Sequence, residues 1–184
     1  MIMKTLHSVN LTLRPFEQVD IPELSQMLAD PEIARYLFSG TTLSAAQAET
    51  FINSHFASKE DDEFGMGTIV ERATEKFVGF AGLIQSSYLD GNDLELGFAI
   101  ARNAQGKKYG KEIGKRQIVF GFDELKCRRL LGLVHPQNYP SHHILEANLK
   151  MRLIEEIEIP GRGPREVFSL ERATYLETSS YYCR

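Results

Sequence analysis

The chain has 184 residues, of which 42% are hydrophobic and 25% are charged, and this composition predicts one globular domain spanning residues 1–184. Its formal net charge of −4 argues against a nucleic-acid-binding protein. Because no apolar run approaches the ~18 residues of a membrane span and the first residues lack the apolar core of an export signal, we expect a cytoplasmic protein without a membrane partner.

The N-terminal part of the chain predicts a strand followed by helices. Residues Val9 to Phe16 alternate between apolar and polar side chains, which is typical of a short strand. Asp20 is followed three residues later by a glutamate, as in a capping box, and Asp30 before a proline restarts the helix. A second capping box, at Ser44, begins the next helix.

Three strand-like segments and a long helix occupy the middle of the chain. The segments Gly65 to Arg72, Phe77 to Gln85 and Asp93 to Ile100 are joined by short turns, so they predict an antiparallel meander. The helix from Lys108 to Leu125 is apolar over most of its circumference in its second half, which indicates that it is buried.

The C-terminal part supplies the remaining elements of the predicted sheet. They are a strand at Arg129 to Val134, a helix from Asn138 or Ser141 to about Leu149, and strands at Leu153 to Ile159 and Val167 to Arg172. The strand–helix–strand unit around the buried helix is long enough to give a parallel pair. The predicted fold class is therefore α/β (α+β). It is a mixed, mostly antiparallel seven-stranded sheet flanked by helices, in the order β-α-α-β-β-β-α-β-α-β-β.

A basic, glycine-containing loop precedes the long helix. Its glycines, Gly106, Gly110 and Gly114, are spaced four apart, which matches neither a dinucleotide-binding loop nor a P-loop. One acid, Glu112, accompanies five basic residues: Lys107, Lys108, Lys111, Lys115 and Arg116. A helix N-terminus offers free backbone N–H groups to an anion, so this pattern indicates a polyphosphate ligand. The alternative is an ordinary solvated, basic start of a helix.

Four segments in the same order carry a resemblance to a known family. They are Leu11 to Pro15, Asp30 to Leu37, Leu94 to Phe98 followed by Gln105 to Gly110, and Val134 to Ser141 followed by Leu145 and Glu146. Together with the order of elements, they resemble the GNAT acyltransferase superfamily, and in detail its ribosomal-protein N-acetyltransferase branch. The resemblance spans nearly the whole chain.

The resemblance implies a single acetyl-CoA-dependent N-acetyltransferase domain. Acetyl-CoA would be the cosubstrate, and the acceptor a primary amine, either a protein N-terminus or a small molecule, that attacks directly in a ternary complex. The protein would be a monomer or homodimer. The residues that would bind the donor are Phe98, Ala99, Ile100, Gln105, Gly106, Lys107, Lys108, Tyr109, Gly110, Lys111, Asn138 and Ser141.

Two positions depart from the pattern of the family. Lys108 stands where a glycine usually lets the loop approach the pyrophosphate, and Leu145 stands where many members have a tyrosine that protonates the thiolate. These departures support the alternative of a non-catalytic GNAT-fold protein that binds acyl-CoA or a partner. A kinase-like nucleotide binder is disfavoured because no P-loop is present.

Glu95 and Ser141 are the candidate catalytic residues. Strand alternation places Glu95 on one face with Gly97 and Ala99, where a carboxylate beside small residues leaves room for an acceptor amine and could act as its base. The alternative is a surface or salt-bridged glutamate. Ser141 could supply a proton to the thiolate. We expect no metal, since the adjacent histidines 142 and 143 point about 100° apart on a helix.

Overall fold

The computed structural model describes residues 3–37, 41–56, 63–89, 91 and 93–183. The strands of this part of the chain form one eight-stranded sheet in the order β1-β2-β3-β4-β5-β6-β8-β7. Neighbouring strands are antiparallel except for the parallel pair β5–β6. The strands are β1 (Leu6–His7), β2 (Leu11–Arg14), β3 (Met66–Glu71), β4 (Phe77–Gln85), β5 (Leu94–Ile100), β6 (Arg129–Val134), β7 (Arg152–Ile159) and β8 (Gly163–Glu171).

Helices connect the strands and cover the sheet. They are α1 (Ile21–Leu28), α2 (Pro31–Leu37), α3 (Ala45–His55), α4 (Tyr109–Val119), α5 (Tyr139–His143) and α6 (Arg172–Thr178). Helices α4 and α5 each continue into a π-helical turn, at Phe120–Glu124 and Ile144–Asn148. Among the described residues, no helix is both long and apolar enough to cross a membrane.

The predicted fold class is confirmed, with three differences in the elements. Strand β1 was not predicted because two residues are too few to show alternation, and it pairs with β2 through Leu6 and Leu13. The N-terminal helical region contains three separate helices rather than two, since α1 ends before Pro31 begins α2. Helix α6, after the last strand, was also not predicted.

Asp20 has a different role from the helix cap that its spacing predicted. Its side chain is buried and makes no cap hydrogen bond to α1. Instead it accepts hydrogen bonds from the Arg14 guanidinium at 2.7 and 2.8 Å, from Thr68 Oγ1 at 2.8 Å and from the Glu17 N–H at 2.9 Å. Burial opposes the charge, but these hydrogen bonds outweigh it and hold the pKa of Asp20 below its usual value. The carboxylate therefore ties β2 and β3 to the start of α1.

Two apolar clusters lie on opposite faces of the sheet. One packs the sheet against α4, the π-helical turn after α5, and α6, and includes Leu96, Ile113 and Phe122. The other packs it against α1 and α3 and includes Leu24, Ile52 and Phe80. Strand β5 contributes to both faces, as its alternation predicted: Leu94, Leu96 and Phe98 face the first cluster, and Ala99 packs against the second.

Strands β5 and β6 separate soon after they meet. The register pairs are Leu94 with Leu130 and Glu95 with Leu131. Beyond them, β5 continues to Ile100 and β6 to Val134 without further pairing between the two strands. The sheet therefore opens into a cleft whose walls are the ends of these two strands.

Candidate functional site

A cavity of about 770 Å³ lies where β5 and β6 diverge. Its wall is mainly apolar and aromatic with a few polar groups, as in typical small-molecule sites. The lining residues include Tyr36, Phe51, Phe56 and Phe80, the β5 residues Glu95 to Phe98, the β6 residues Leu133 and Val134, and then His135, Asn138, Ser141, Leu145, Arg162 and Arg165. The cavity thus joins the predicted catalytic residues Glu95 and Ser141 to Phe98 and Asn138 of the predicted donor-binding set.

Glu95 is buried in this cavity wall rather than on the surface of the protein. It is 7% exposed and lies on the last residue pair before the two strands separate. Burial raises the pKa of its carboxyl group above the usual value, and the positive charges of Arg162 and Arg165 oppose that shift. A raised pKa suits a group that takes a proton at neutral pH.

Gly97, two residues further along β5, leaves open space beside Glu95. A Cβ placed on Gly97 would have Met66 Cε as its nearest atom, at 3.9 Å, which is an ordinary contact distance. The absence of a side chain at this position therefore creates room in the cavity rather than permitting a close approach of two backbones.

Helix α5 presents three residues to the cavity from one side. Asn138 is its N-cap, and the Asn138 Oδ1 accepts the Ser141 N–H at 3.4 Å. Ser141 and the buried Leu145 lie below it on the same helix face. Leu145 offers only hydrocarbon, so the Ser141 hydroxyl is the O–H group on this helix face. The contact of Asn138 and Ser141 with acetyl-CoA stays a prediction.

The loop before α4 has the conformation of an anion-binding turn. Gly106 has a φ of 82°, and Lys108, the N-cap residue, has φ 64° and ψ 16°. No side chain caps the first turn of α4, whereas Ser44 and Gln47 form a complete capping box on α3. The N–H groups at the start of α4 are therefore available to a ligand, and the helix dipole favours an anion there.

Three of the five basic residues of the predicted cluster have partners within the protein. Lys107 forms an ion pair with Glu71 at 3.3 Å. The buried Lys115 donates from Nζ to the Tyr181 carbonyl at 2.7 Å, and Arg116 pairs with Glu124 at 3.2 Å. Lys115 and Arg116 lie beyond the first turn of α4, and their side chains contact other parts of the protein. Lys108 and Lys111 remain as the cations of this cluster that can serve a ligand.

Three other predicted donor-binding residues are held by contacts within the protein. Thr74, the Tyr109 hydroxyl and Lys107 donate to Glu71 and lower its pKa to about 2, and the hydrogen bond to Glu71 raises the pKa of Tyr109 to about 12. Gln105 Nε2 donates to the Ile100 carbonyl at 3.0 Å. Gly110 packs so closely that a Cβ would lie 3.0 Å from Ile144 Cδ1. These contacts hold the loop in its conformation.

Arg165 and His135 also belong to the cavity wall; the sequence interpretation assigned no role to Arg165 and placed His135 in a turn at the end of a strand. Arg165 is 1% exposed and donates to the Tyr36 and Pro164 carbonyls at 3.0 and 2.7 Å. His135 Nδ1 accepts the Gln137 N–H at 3.1 Å, which leaves the ring proton on Nε2, and burial lowers the pKa of the ring. Arg165 follows a turn that contains glycine and proline, and turn signals normally indicate exposure, so no local pattern indicated that this residue is buried.

The remaining question for the histidines and Cys127 is whether they could bind a metal or act as a nucleophile. No group of three metal-ligating side chains occurs in that part of the chain. His142 instead faces two carboxylates, with its Nε2 3.4 Å from Glu166 and its Nδ1 3.8 Å from Glu146. Burial raises the pKa of the Cys127 thiol to about 11, so this cysteine is a poor nucleophile at neutral pH.

Comparison with protein families agrees with this architecture. A model described as an acetyltransferase (GNAT) domain matches residues 10–148. The chain belongs to the GNAT acetyltransferase family. This GNAT chain is 28% identical over 145 residues to a Bacillus licheniformis protein named "Uncharacterized N-acetyltransferase p20", covering 79% of this chain and 81% of the relative.

Solved structures share the GNAT fold at low sequence identity. A spermidine N-acetyltransferase from Vibrio cholerae, in complex with CoA and spermine, has a TM-score of 0.73 and 21% identity, covering 91% of this chain and 98% of that one. A candidate ribosomal-protein-serine acetyltransferase from Vibrio cholerae has a TM-score of 0.74 and 23% identity, covering 93% and 99%. The predicted membership of the superfamily is confirmed, and the branch predicted from the sequence is represented among the neighbours.

The left-handed backbone of Lys108 leads to a stability prediction. This conformation costs an L-residue about 1–2 kcal/mol and costs glycine little, so Lys108→Gly is expected to raise the free energy of unfolding by about 1 kcal/mol. For a chain of this size, that corresponds to a Tm increase of about 2–4 °C in a thermal melt. Lys108→Ala is the matched control because it removes the charge and keeps the strain. Equal stabilisation by both variants would attribute the gain to charge rather than backbone.

Proposed function

We propose that this GNAT protein is an acetyl-CoA-dependent N-acetyltransferase that acts on a primary amine, either a protein N-terminus or a small molecule. The observation that carries the proposal is the cleft between β5 and β6. An uncapped helix N-terminus follows the end of β5, and the buried Glu95 stands at the point where the strands part. The helix N-terminus suits the binding of a polyphosphate, and Glu95 suits the removal of a proton from an amine.

The donor is proposed to complete the interrupted sheet. Backbone groups of Phe98, Ala99 and Ile100 that have no partner on β6 would pair with the amides of the pantetheine arm. The loop backbone from Gln105 to Lys111, with the ammonium groups of Lys108 and Lys111, would hold the pyrophosphate. Asn138 and Ser141 would meet the arm near its sulfur. The shape of the cleft and the left-handed loop support this assignment.

The transfer would proceed by direct attack of the acceptor. Glu95 removes a proton from the ammonium group, directly or through a water, so that the amine nitrogen can attack the thioester carbon. The new C–N bond forms and the C–S bond breaks, with the electron pair leaving on sulfur. A thiol has a pKa of about 8.5, so its anion is a fair leaving group. After the attack the nitrogen carries a positive charge and a second proton, and the Ser141 hydroxyl can relay that proton to the departing sulfur, in place of the missing tyrosine.

A second candidate function is a non-catalytic member that binds acyl-CoA. The hydrocarbon surface of Leu145, where the family often has an acid, favours it. Thiol release from acetyl-CoA in the presence of mixed amine acceptors separates the two functions. Release above the acceptor-free rate supports the transferase, whereas donor binding without acceptor-dependent release supports the binding protein.

Donor binding itself is expected to stabilise the fold. Coenzyme A at a concentration 100-fold above its Kd should add about 2.7 kcal/mol to the free energy of unfolding, which a thermal melt detects as a rise in Tm. ATP at the same concentration is the control because it has the polyphosphate and lacks pantetheine. Melts unchanged by both coenzyme A and acetyl-CoA would contradict the assignment, and a larger shift with ATP would favour a nucleotide-binding protein.

A further inference from the structure

We propose that the acceptor carries a carboxylate as well as its amine, and that Arg162 and Arg165 bind this carboxylate. The proposal rests on acetyl transfer in the same cavity and adds the chemical class of the acceptor. The matching molecules are free amino acids and peptides whose N-terminal amine lies close to an acidic group.

The charge of the cavity wall is the first observation. Among the described lining residues, the side chains with a permanent or acidic charge are Glu95, Arg162 and Arg165. Two guanidinium groups therefore face one carboxylate. Glu158, which does not line the cavity, also acts on Arg165 electrostatically without forming an ion pair with it. Removing a charge from water is costly unless an opposite charge compensates it, so the excess of positive charge on the cavity wall suits an anion from outside the protein.

Arg165 shows the imbalance most clearly. It is 1% exposed, and its recorded hydrogen bonds go to two neutral acceptors, the Tyr36 and Pro164 carbonyls. In the part of the chain that the structure describes, no carboxylate lies within ion-pairing distance of it. A guanidinium has five N–H donors in a fixed fork, so two hydrogen bonds leave donors for a ligand. Arg162 is half-buried and contributes its backbone N–H to Ile159, while its side chain lines the cavity.

Neutralising Glu95 does not account for the two arginines. Neither forms an ion pair with Glu95 in the structure, although both act on it electrostatically at longer range. Burial outweighs their combined influence, because the pKa of Glu95 stays above its usual value. The arginines are therefore near enough to share a small ligand with Glu95 and too far to be its partners.

The phosphates of the donor have their own cations at a different place. Lys108 and Lys111 stand at the start of α4, which follows the end of β5. Arg165 precedes Glu166, whose register partner is Val134 at the end of β6. The two pairs of cations thus belong to opposite walls of the cleft, and the arginine pair shares its wall with His135 rather than with the loop.

An amino acid fits this arrangement physically. A guanidinium binds a carboxylate through two parallel N–H···O bonds, and the amine of the same molecule would then lie toward Glu95. Aromatic and aliphatic side chains such as Tyr36, Phe51 and Phe80 form much of the remaining wall and suit an apolar body. A polyamine would meet two like charges, which disfavours it.

The test compares acceptors that differ only in charge. We expect kcat/KM for L-phenylalanine to exceed that for L-phenylalaninamide by roughly 10- to 100-fold, because the amide cannot form the charged, hydrogen-bonded pair with the arginines. The amide has the lower amine pKa and more neutral amine, so intrinsic reactivity favours the opposite order. Spermine should be a poor acceptor. The dipeptide Phe-Asp-amide, whose only carboxylate is on its second residue, distinguishes a peptide source from a free amino acid.

Variants assign the preference to the arginines. Arg162→Gln should lower the ratio of kcat/KM for L-phenylalanine to kcat/KM for L-phenylalaninamide by about 10-fold. Any effect of the substitution on Glu95 changes both values equally and therefore cancels in the ratio. Arg152→Gln, at an exposed arginine at the far end of β7, is the control and should leave the ratio unchanged. Arg165→Gln should act in the same direction, and Arg162 keeps the test valid if the buried variant does not fold.

Three results would overturn the proposal while leaving acetyl transfer intact. They are an amide accepted as well as the acid, a ratio unchanged in Arg162→Gln, or a loss of coenzyme A affinity in that variant, which would assign the arginines to the donor. By contrast, absence of thiol release with every acceptor would overturn the proposed function itself, and this proposal with it.

Discussion

Replacing Glu95 by glutamine is expected to lower kcat/KM by roughly 10²- to 10⁴-fold at neutral pH, because the amide cannot take the proton that the attacking amine must lose. Fold and donor affinity should be retained, since glutamine has nearly the same shape. Raising the pH should partly restore activity, because a larger fraction of the acceptor is already neutral. Initial rates of thiol release measured across about pH 6 to 9 check this expectation.

The stability of the same variant provides an independent check. Burial raises the pKa of Glu95 in the folded state above its value in the unfolded state. The charged carboxylate therefore destabilises the protein fully at a pH above the folded-state pKa, and the destabilisation is absent at a pH below the unfolded-state pKa. Glu95→Gln should therefore raise Tm at neutral and alkaline pH, and the gain should disappear as the pH falls below about 4. A near-parental rate at every pH would leave Glu95 structural, with transfer resting on positioning alone.

Filling the space above Gly97 should be almost as damaging to the reaction. Gly97→Leu places a four-carbon side chain into the open part of the cavity beside Glu95. Because misplacing a reactant by about 1 Å can cost 10²-fold, we expect kcat/KM for the acceptor to fall by about 10²-fold or more. The side chain enters empty apolar space rather than a packed region, so Tm should not fall. Steady-state kinetics and a thermal melt measure the two effects.

Gly97→Ala is the matched control for that variant. A single methyl group at this position lies at an ordinary contact distance from Met66, so the alanine variant should keep most of the activity. The coenzyme A-induced rise in Tm should survive in both variants, since the side chain points to the acceptor face of β5. Equal losses with alanine and leucine would show that backbone freedom at this glycine, and not space, is what the reaction needs.

The elements that the sequence predicted best are those with local signals. Strands β4 and β6 have the predicted bounds, because alternation and flanking turns lie within a few residues of each end. The order of elements predicted that β5 and β6 form a parallel pair. The cleft between them depends on where that pairing stops, which no local pattern indicates.

Long-range partners explain what the sequence could not predict. Asp20 reads as a helix cap because its neighbours fit one, yet its carboxylate bonds to Thr68, 48 residues away. Arg165 precedes the predicted strand Val167 to Arg172 and was assigned no role, yet the carbonyl that it binds belongs to Tyr36, 129 residues away. The loop cluster was overestimated for the same reason, since Lys115 is held by Tyr181 near the C-terminus. The partner of a charged residue can lie far away in the sequence, so it can be identified only once the fold is known.

The divergence of β5 and β6 also gives the sheet an inner edge in addition to its two outer ones. Unpaired strand edges can recruit strands from other molecules, and the outer edges carry the usual protection. Strand β1 has only two residues, and β7 bears Glu155, Glu156 and Glu158. The inner edge has no such charges along Leu96 to Ile100 and is shielded only by the helices on both faces. Damage to that cover would therefore cause self-association as well as loss of activity.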